Sequence, residues 1–88
     1  MTAQLDGRRM TTRENAHDHL AQQLALPSWY GRNLDALYDL LTAGIAADTI
    51  VLSHADALEA LGSYGRRLMQ TLEDAAAGGG PAIELLPE

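Results

Sequence analysis

The chain has no cysteine. That removes disulfides and Cys-based metal sites as sources of stability, and it suits a reducing compartment. No apolar run is long enough to cross a bilayer, and Met1–Arg9 lacks the apolar core of a signal peptide. A soluble, cytoplasmic protein with no membrane partner is therefore expected. Between Asn33 and Glu59 there is neither Lys nor Arg. Phosphate contacts need clustered cations, so direct nucleic-acid binding is not expected.

Several letter combinations that could carry chemistry lack the spacing for it. His17 and His19 are two apart, which places them on opposite sides of a helix, unable to share a metal. They are read as surface histidines. Ser53, His54 and Asp56 contain the letters of a triad, but sequence neighbours do not meet as a triad requires. Gly78–Gly80 precede a strand, whereas phosphate-cradling glycines open a helix. No cofactor or metal is expected.

What is present suits a small globular domain. The 88 residues, 47% of them hydrophobic, are read as one domain spanning 1–88. At this size only about 60% of the unfolded surface is buried on folding, so the core is small. The net charge of −6 divides as +1 over residues 1–32, −5 over 33–59 and −2 over 60–88. Acidity concentrated in the middle of the chain suits either a basic protein partner, drawn in by long-range attraction, or a surface that only keeps a small protein soluble.

The element order reads strand, two helices, strand, two helices, strand. Ala3–Gly7 suits a strand and turn. Thr11 or Thr12 caps a helix on which Ala16, Leu20 and Leu24 recur, and Pro27 stops it near Leu26. Asn33 caps a second helix that Gly44 ends. Thr49–Ser53 is a β-branched run, as in a strand buried on both faces. A short helix over Asp56–Leu61, a longer one over Arg66–Ala77 and a strand over Ala82–Leu86 complete the chain. Helical connections between strands imply parallel pairing with right-handed crossovers. The expected fold is α/β, a three-stranded parallel sheet with helical crossovers.

The second helix is the centre of interest. At about 100° per residue, Leu34, Leu37, Leu40 and Leu41 form one apolar stripe. Asp35, Tyr38, Asp39 and Thr42 form a separate arc with no cation in it. Asp35 and Asp39 are four apart and repel by about 0.2–0.5 kcal/mol on an exposed helix. The helix dipole offsets this for Asp35 in the first turn but not for Asp39. A local cost without local compensation marks a face built for something positively charged. Two carboxylates side by side on an open helix have nothing to push their pKa values apart, so a general acid–base pair is not expected. A metal-binding or regulatory role for this face, a different class of function, is the weaker alternative because no calcium-type loop accompanies it. Trp29, the single tryptophan, sits in the preceding loop. It is either a core anchor or an exposed binding hot spot.

Leu24-Ala-Leu-Pro27-Ser-Trp29-Tyr-Gly31-Arg-Asn33-Leu-Asp35-Ala-Leu-Tyr38-Asp39-Leu-Leu-Thr42 closely resembles the signature of the barstar family, L-P-x-Y-Y-G-x-N-L-D-A-L-W-D-x-L-T. The resemblance extends over essentially the whole chain. It implies a parallel three-stranded α/β fold and a non-enzymatic, intracellular inhibitor of guanyl-preferring microbial ribonucleases such as barnase. The implied partner is an extracellular-type guanyl-specific ribonuclease, held in a 1:1 complex. An immunity protein against a ribonuclease toxin delivered between cells is the alternative within the binding class. By position, Asp39 would take the place of a substrate phosphate and Asp35 would meet a further arginine. Trp29 stands where the family has a tyrosine that packs on the catalytic histidine, and Tyr38 where it often has tryptophan. Gly31, Asn33 and Thr42 match the pattern and would supply close approach, the cap and hydrogen bonding. Two positions depart from it. Gly44 stands where barstar itself has tryptophan, and Ala75 aligns near the last-helix glutamate that also reaches the nuclease, with Glu73 and Asp74 beside it.

Overall fold

The computed structural model describes every residue except Pro87. Strand β1 is Thr2–Asp6, followed by a 3-10 turn at Gly7–Arg9 and helix α1, Arg13–Gln23. Helix α2 is Leu34–Ala43 and strand β2 is Thr49–Ser53. A 3-10 helix at Ala55–Leu61, helix α3 at Ser63–Ala77 and strand β3 at Ala82–Leu85 follow. The strands lie in the order β1-β2-β3, both pairings are parallel, and Ala3, Ile50 and Ile83 align across the sheet.

Burial alternates along the sheet. Ala3, Leu5, Ile50 and Leu52 are buried, while Thr2, Gln4, Val51 and Glu84 on the other face are exposed or half-buried. The helices therefore cover one face only. The expectation that Thr49–Ser53 is buried on both faces is corrected here: β2 is central in the sheet, yet alternate residues of it face away from the core. Leu20 of α1, Leu37 and Leu41 of α2, and Leu68 and Leu72 of α3 close the buried cluster over the covered face.

Element ends follow local chemistry. Thr12 caps α1, its hydroxyl accepting from the Asn15 N–H at 3.1 Å. The helix stops at Gln23, earlier than Pro27 would require. Ala25 adopts φ +52°, and the Leu26 N–H reaches back to the Ala21 carbonyl at 3.0 Å, the longer bond of a Schellman closure. Helix α3 starts at Ser63 rather than Arg66. Gly65 is buried there, and a Cβ on it would lie 2.3 Å from the Leu58 carbonyl oxygen. This glycine permits close packing of α3 on the 3-10 helix instead of breaking the element.

Candidate functional site

The loop between α1 and α2 is a stack of short local bonds. The Tyr30 N–H donates to the Pro27 carbonyl at 3.0 Å, closing a turn with Ser28 and Trp29 at its two central positions. Trp29 at the turn tip is 74% exposed, whereas Tyr30 beside it is buried. Of the two readings of Trp29, the structure has the exposed one. Tyr30 points inward, with its hydroxyl 2.6 Å from His17 Nδ1. The other ring nitrogen of His17 lies 2.6 Å from the Tyr64 hydroxyl.

His17 and His19 are not surface residues. They are 3% and 7% exposed, buried alongside the phenols of Tyr30 and Tyr64. Both His17 nitrogens have phenol partners, and His19 Nε2 accepts the Asp6 backbone N–H at 2.9 Å, so burial leaves neither ring unsatisfied. Burial depresses the His17 pKa, with Arg32 and Arg13 adding to the effect and Asp18 opposing it. His19 is depressed in the same way, chiefly by burial and then by Arg9, against Asp6. Burial also pushes the Tyr30 phenol upward. The signal was present in the spacing: His17 stands three and seven residues before Leu20 and Leu24, on the apolar face of α1.

Past Tyr30 the chain enters α2 through three adapted residues. A Cβ on Gly31 would lie 3.2 Å from Ala36 Cβ and 3.3 Å from Asn33 Nδ2, so glycine lets the loop lie close to the first turn. Arg32 takes φ +55°. It is held by an ion pair to Asp18 at 2.6 Å and a hydrogen bond to the Glu14 carbonyl at 3.2 Å. Asn33 caps the helix: Oδ1 accepts from the Ala36 N–H at 2.7 Å, and Nδ2 donates to the Gly31 carbonyl at 3.2 Å.

Helix α2 buries Leu34, Leu37 and Leu41, leaves Leu40 half-buried, and exposes Asp35, Tyr38 and Asp39. With Thr42, half-buried, these last three share one side at i, i+3, i+4 and i+7. Among the described residues, neither aspartate is ion-paired. Tyr38 is 38% exposed, and its hydroxyl would sit 3.1 Å from a Cβ on Gly78. The ring thus leans on the end of α3. The Thr42 hydroxyl donates to the Tyr38 carbonyl at 2.9 Å, which fixes its rotamer. The structure brings Asp35, Tyr38, Asp39 and Thr42 together on one helix, with Gly31, Asn33 and exposed Trp29 at its entrance. No group of three His, Cys, Asp or Glu side chains placed to hold a metal occurs among the described residues. A cleft at the N-terminal end of α2, which the residue pattern does not reveal, is lined by Arg13, Arg32, Arg67, Tyr64, Asn33 and Asp35.

Comparison with known proteins decides the family. Residues 1–84 match the family model described as Barstar (barnase inhibitor). The chain belongs to the barstar family. It is also 38% identical over 73 residues to the Bacillus subtilis (strain 168) protein named "Putative ribonuclease inhibitor YrdF". That alignment spans 81% of this chain and 80% of the other.

The two departures from the barstar pattern have structural counterparts. Gly44 ends α2 with φ +111°, a backbone that glycine adopts and a bulky side chain resists. Ala75 is buried, and its carbonyl accepts from the Gly78 and Gly80 N–H groups at 3.1 and 2.8 Å. A side chain at this position faces the core. Glu73 and Asp74 beside it are exposed. No helix among the described residues is long and apolar enough to cross a membrane.

Proposed function

We propose that the protein is a stoichiometric, non-enzymatic inhibitor of a guanyl-preferring, barnase-like ribonuclease, binding it 1:1 and acting in the cytoplasm. The whole chain, 1–88, serves as one inhibitor domain. Membership of the barstar family and the 38%-identical relative support ribonuclease inhibition in general. The observation that carries the finer reading is the outer side of α2. Asp35 and Asp39 stand there exposed and without ion pairs among the described residues, next to Trp29 at 74% exposure.

A ribonuclease must hold phosphates, so its active site is rich in cations. Fixed carboxylates on α2 occupy such a pocket as substrate phosphates do, with Asp39 in the phosphate position and Asp35 against a further arginine. In the barnase–barstar complex, close charge pairs of this kind couple by about 1.5–7 kcal/mol. Trp29 and Tyr38 supply the aromatic area on which hot spots depend. Gly31, Asn33 and Thr42 hold the loop and helix in shape.

The experiment is an inhibition titration of a barnase-like enzyme and of a smaller guanyl-specific ribonuclease. Activity should fall linearly to a sharp break near equimolar inhibitor. No inhibition of either enzyme would contradict the reading.

A further inference from the structure

The cleft at the start of α2, about 280 Å³ in volume, is a basic spot on a protein of net charge −6. Arg13, Arg32 and Arg67 line it, and Asp35 is the one carboxylate among the lining residues. Tyr64 organises the guanidinium groups. The Arg13 guanidinium carbon lies 4.2 Å from the Tyr64 ring centroid and that of Arg67 lies 5.9 Å away. The ring itself is anchored through its hydroxyl to His17. Arg32 is fixed by Asp18. Among the described residues, Arg13 and Arg67 have no ion-pair partner. Stacked, oriented guanidinium forks suit a planar oxyanion bound bidentately.

We propose that this cleft receives a carboxylate side chain of the ribonuclease docked on α2, so that the interface carries charge pairs of both polarities. This rests on the function proposed above. Asn33 and Asp35 belong both to the cleft and to the docking helix, so a partner seated on α2 covers the cleft. Covering Arg13 and Arg67 without an anion would strip water from two cations that have no ion-pair partner among the described residues, which disfavours docking. The neighbouring Asp35 disfavours a dianion and leaves room for a single negative charge. An aspartate or glutamate of the partner meets both conditions.

The test exploits the sign of the charge change. The partner's active site is cationic, so removing an inhibitor arginine should speed association through the long-range field. A partner anion seated in the cleft makes the same change weaken the complex instead. Association and dissociation rates with a guanyl-preferring bacterial ribonuclease would be measured for wild type, Arg13→Gln, Arg67→Gln, Arg67→Lys and Asp39→Ala. Arg66→Gln serves as control, because Arg66 lines a different groove with Asp56 and Glu59. The Arg13→Gln and Arg67→Gln complexes should dissociate at least tenfold faster with association unchanged or faster, and Arg67→Lys should fall between wild type and Arg67→Gln. Arg66→Gln should dissociate as wild type does. Dissociation at the wild-type rate for both glutamine variants, with Asp39→Ala still strongly weakened, overturns this inference alone. A wild type that binds no such ribonuclease overturns the functional reading and this inference with it.

Discussion

The Tyr30 hydroxyl lies 2.6 Å from His17 Nδ1, so the residue after Trp29 is tied to the middle of α1. The tie continues through His17 Nε2 to Tyr64 on α3. The loop that presents Trp29 is therefore fastened to two helices through one buried imidazole. Because a neutral imidazole has one donor and one acceptor nitrogen, one phenol donates to the ring and the other accepts from it.

Tyr30→Phe keeps the ring and removes this tie, leaving one buried nitrogen of His17 without its partner. A stability loss of about 1–3 kcal/mol is expected, since an unsatisfied buried polar group bears its full desolvation cost. Urea unfolding at pH 7.5 measures it. A midpoint equal to that of wild type would mean the contact contributes nothing.

The two buried histidines set a direction for pH dependence. Both have folded-state pKa values below the ordinary imidazole value, so the unfolded chain takes up protons first as pH falls. Their contribution is complete above a pH of about 6.5 and is lost as pH drops through the window beneath it. The slope is at most about 1.4 kcal/mol per pH unit for each histidine. Protonating His19 Nε2 would also set a donor against the Asp6 N–H that it now accepts. Asp6, held down to about 2 mainly by the hydrogen bonds it accepts from Arg8, adds a further loss only below about pH 4. Stability should hold from pH 7.5 to about pH 6.5 and decline from there to pH 5. A flat or rising urea midpoint over that range would show that neither ring is held neutral by the fold.

Trp29 separates binding from folding. With its side chain at the tip of a turn, 74% exposed, Trp29→Ala should change unfolding free energy by less than about 0.5 kcal/mol, as surface substitutions do. Ribonuclease binding should weaken by about 2 kcal/mol or more if the ring is a hot spot. Calorimetric titration and thermal unfolding of the same sample measure the two quantities. A variant that unfolds early and binds normally would reverse the assignment.

Much of this arrangement was legible in the residue pattern, and the exceptions have physical causes. Asn33 as cap, Gly44 as stop and Thr49–Ser53 as strand follow from side-chain chemistry within a few positions, and the structure has all three. The acidic arc of α2 was readable because helical spacing alone decides which side chains share a side. Gly65 concealed the first turn of α3, because a glycine needed for tight packing looks like a breaker. The polar type of His17 suggests a surface position, yet its i, i+3, i+7 relation to Leu20 and Leu24 puts it on the buried face of α1. The one-sided cover of β2 depends on where the crossovers put the helices, which strand composition does not encode. The cleft joins Arg13, Arg32 and Arg67 from three separate segments, so only the fold could assemble it.

If α2 is the blocking element, its carboxylates must matter far more than acidic residues elsewhere. The direct measurement compares Asp39→Ala with Asp56→Ala, an exposed acid on the 3-10 helix outside α2, in their affinity for a guanyl-preferring ribonuclease. Asp39→Ala should weaken the complex by several kcal/mol, as loss of one partner in a desolvated charge pair does, while Asp56→Ala should leave it within about 0.5 kcal/mol. Equal losses for the two variants would contradict the assignment of α2 as the inhibitory surface.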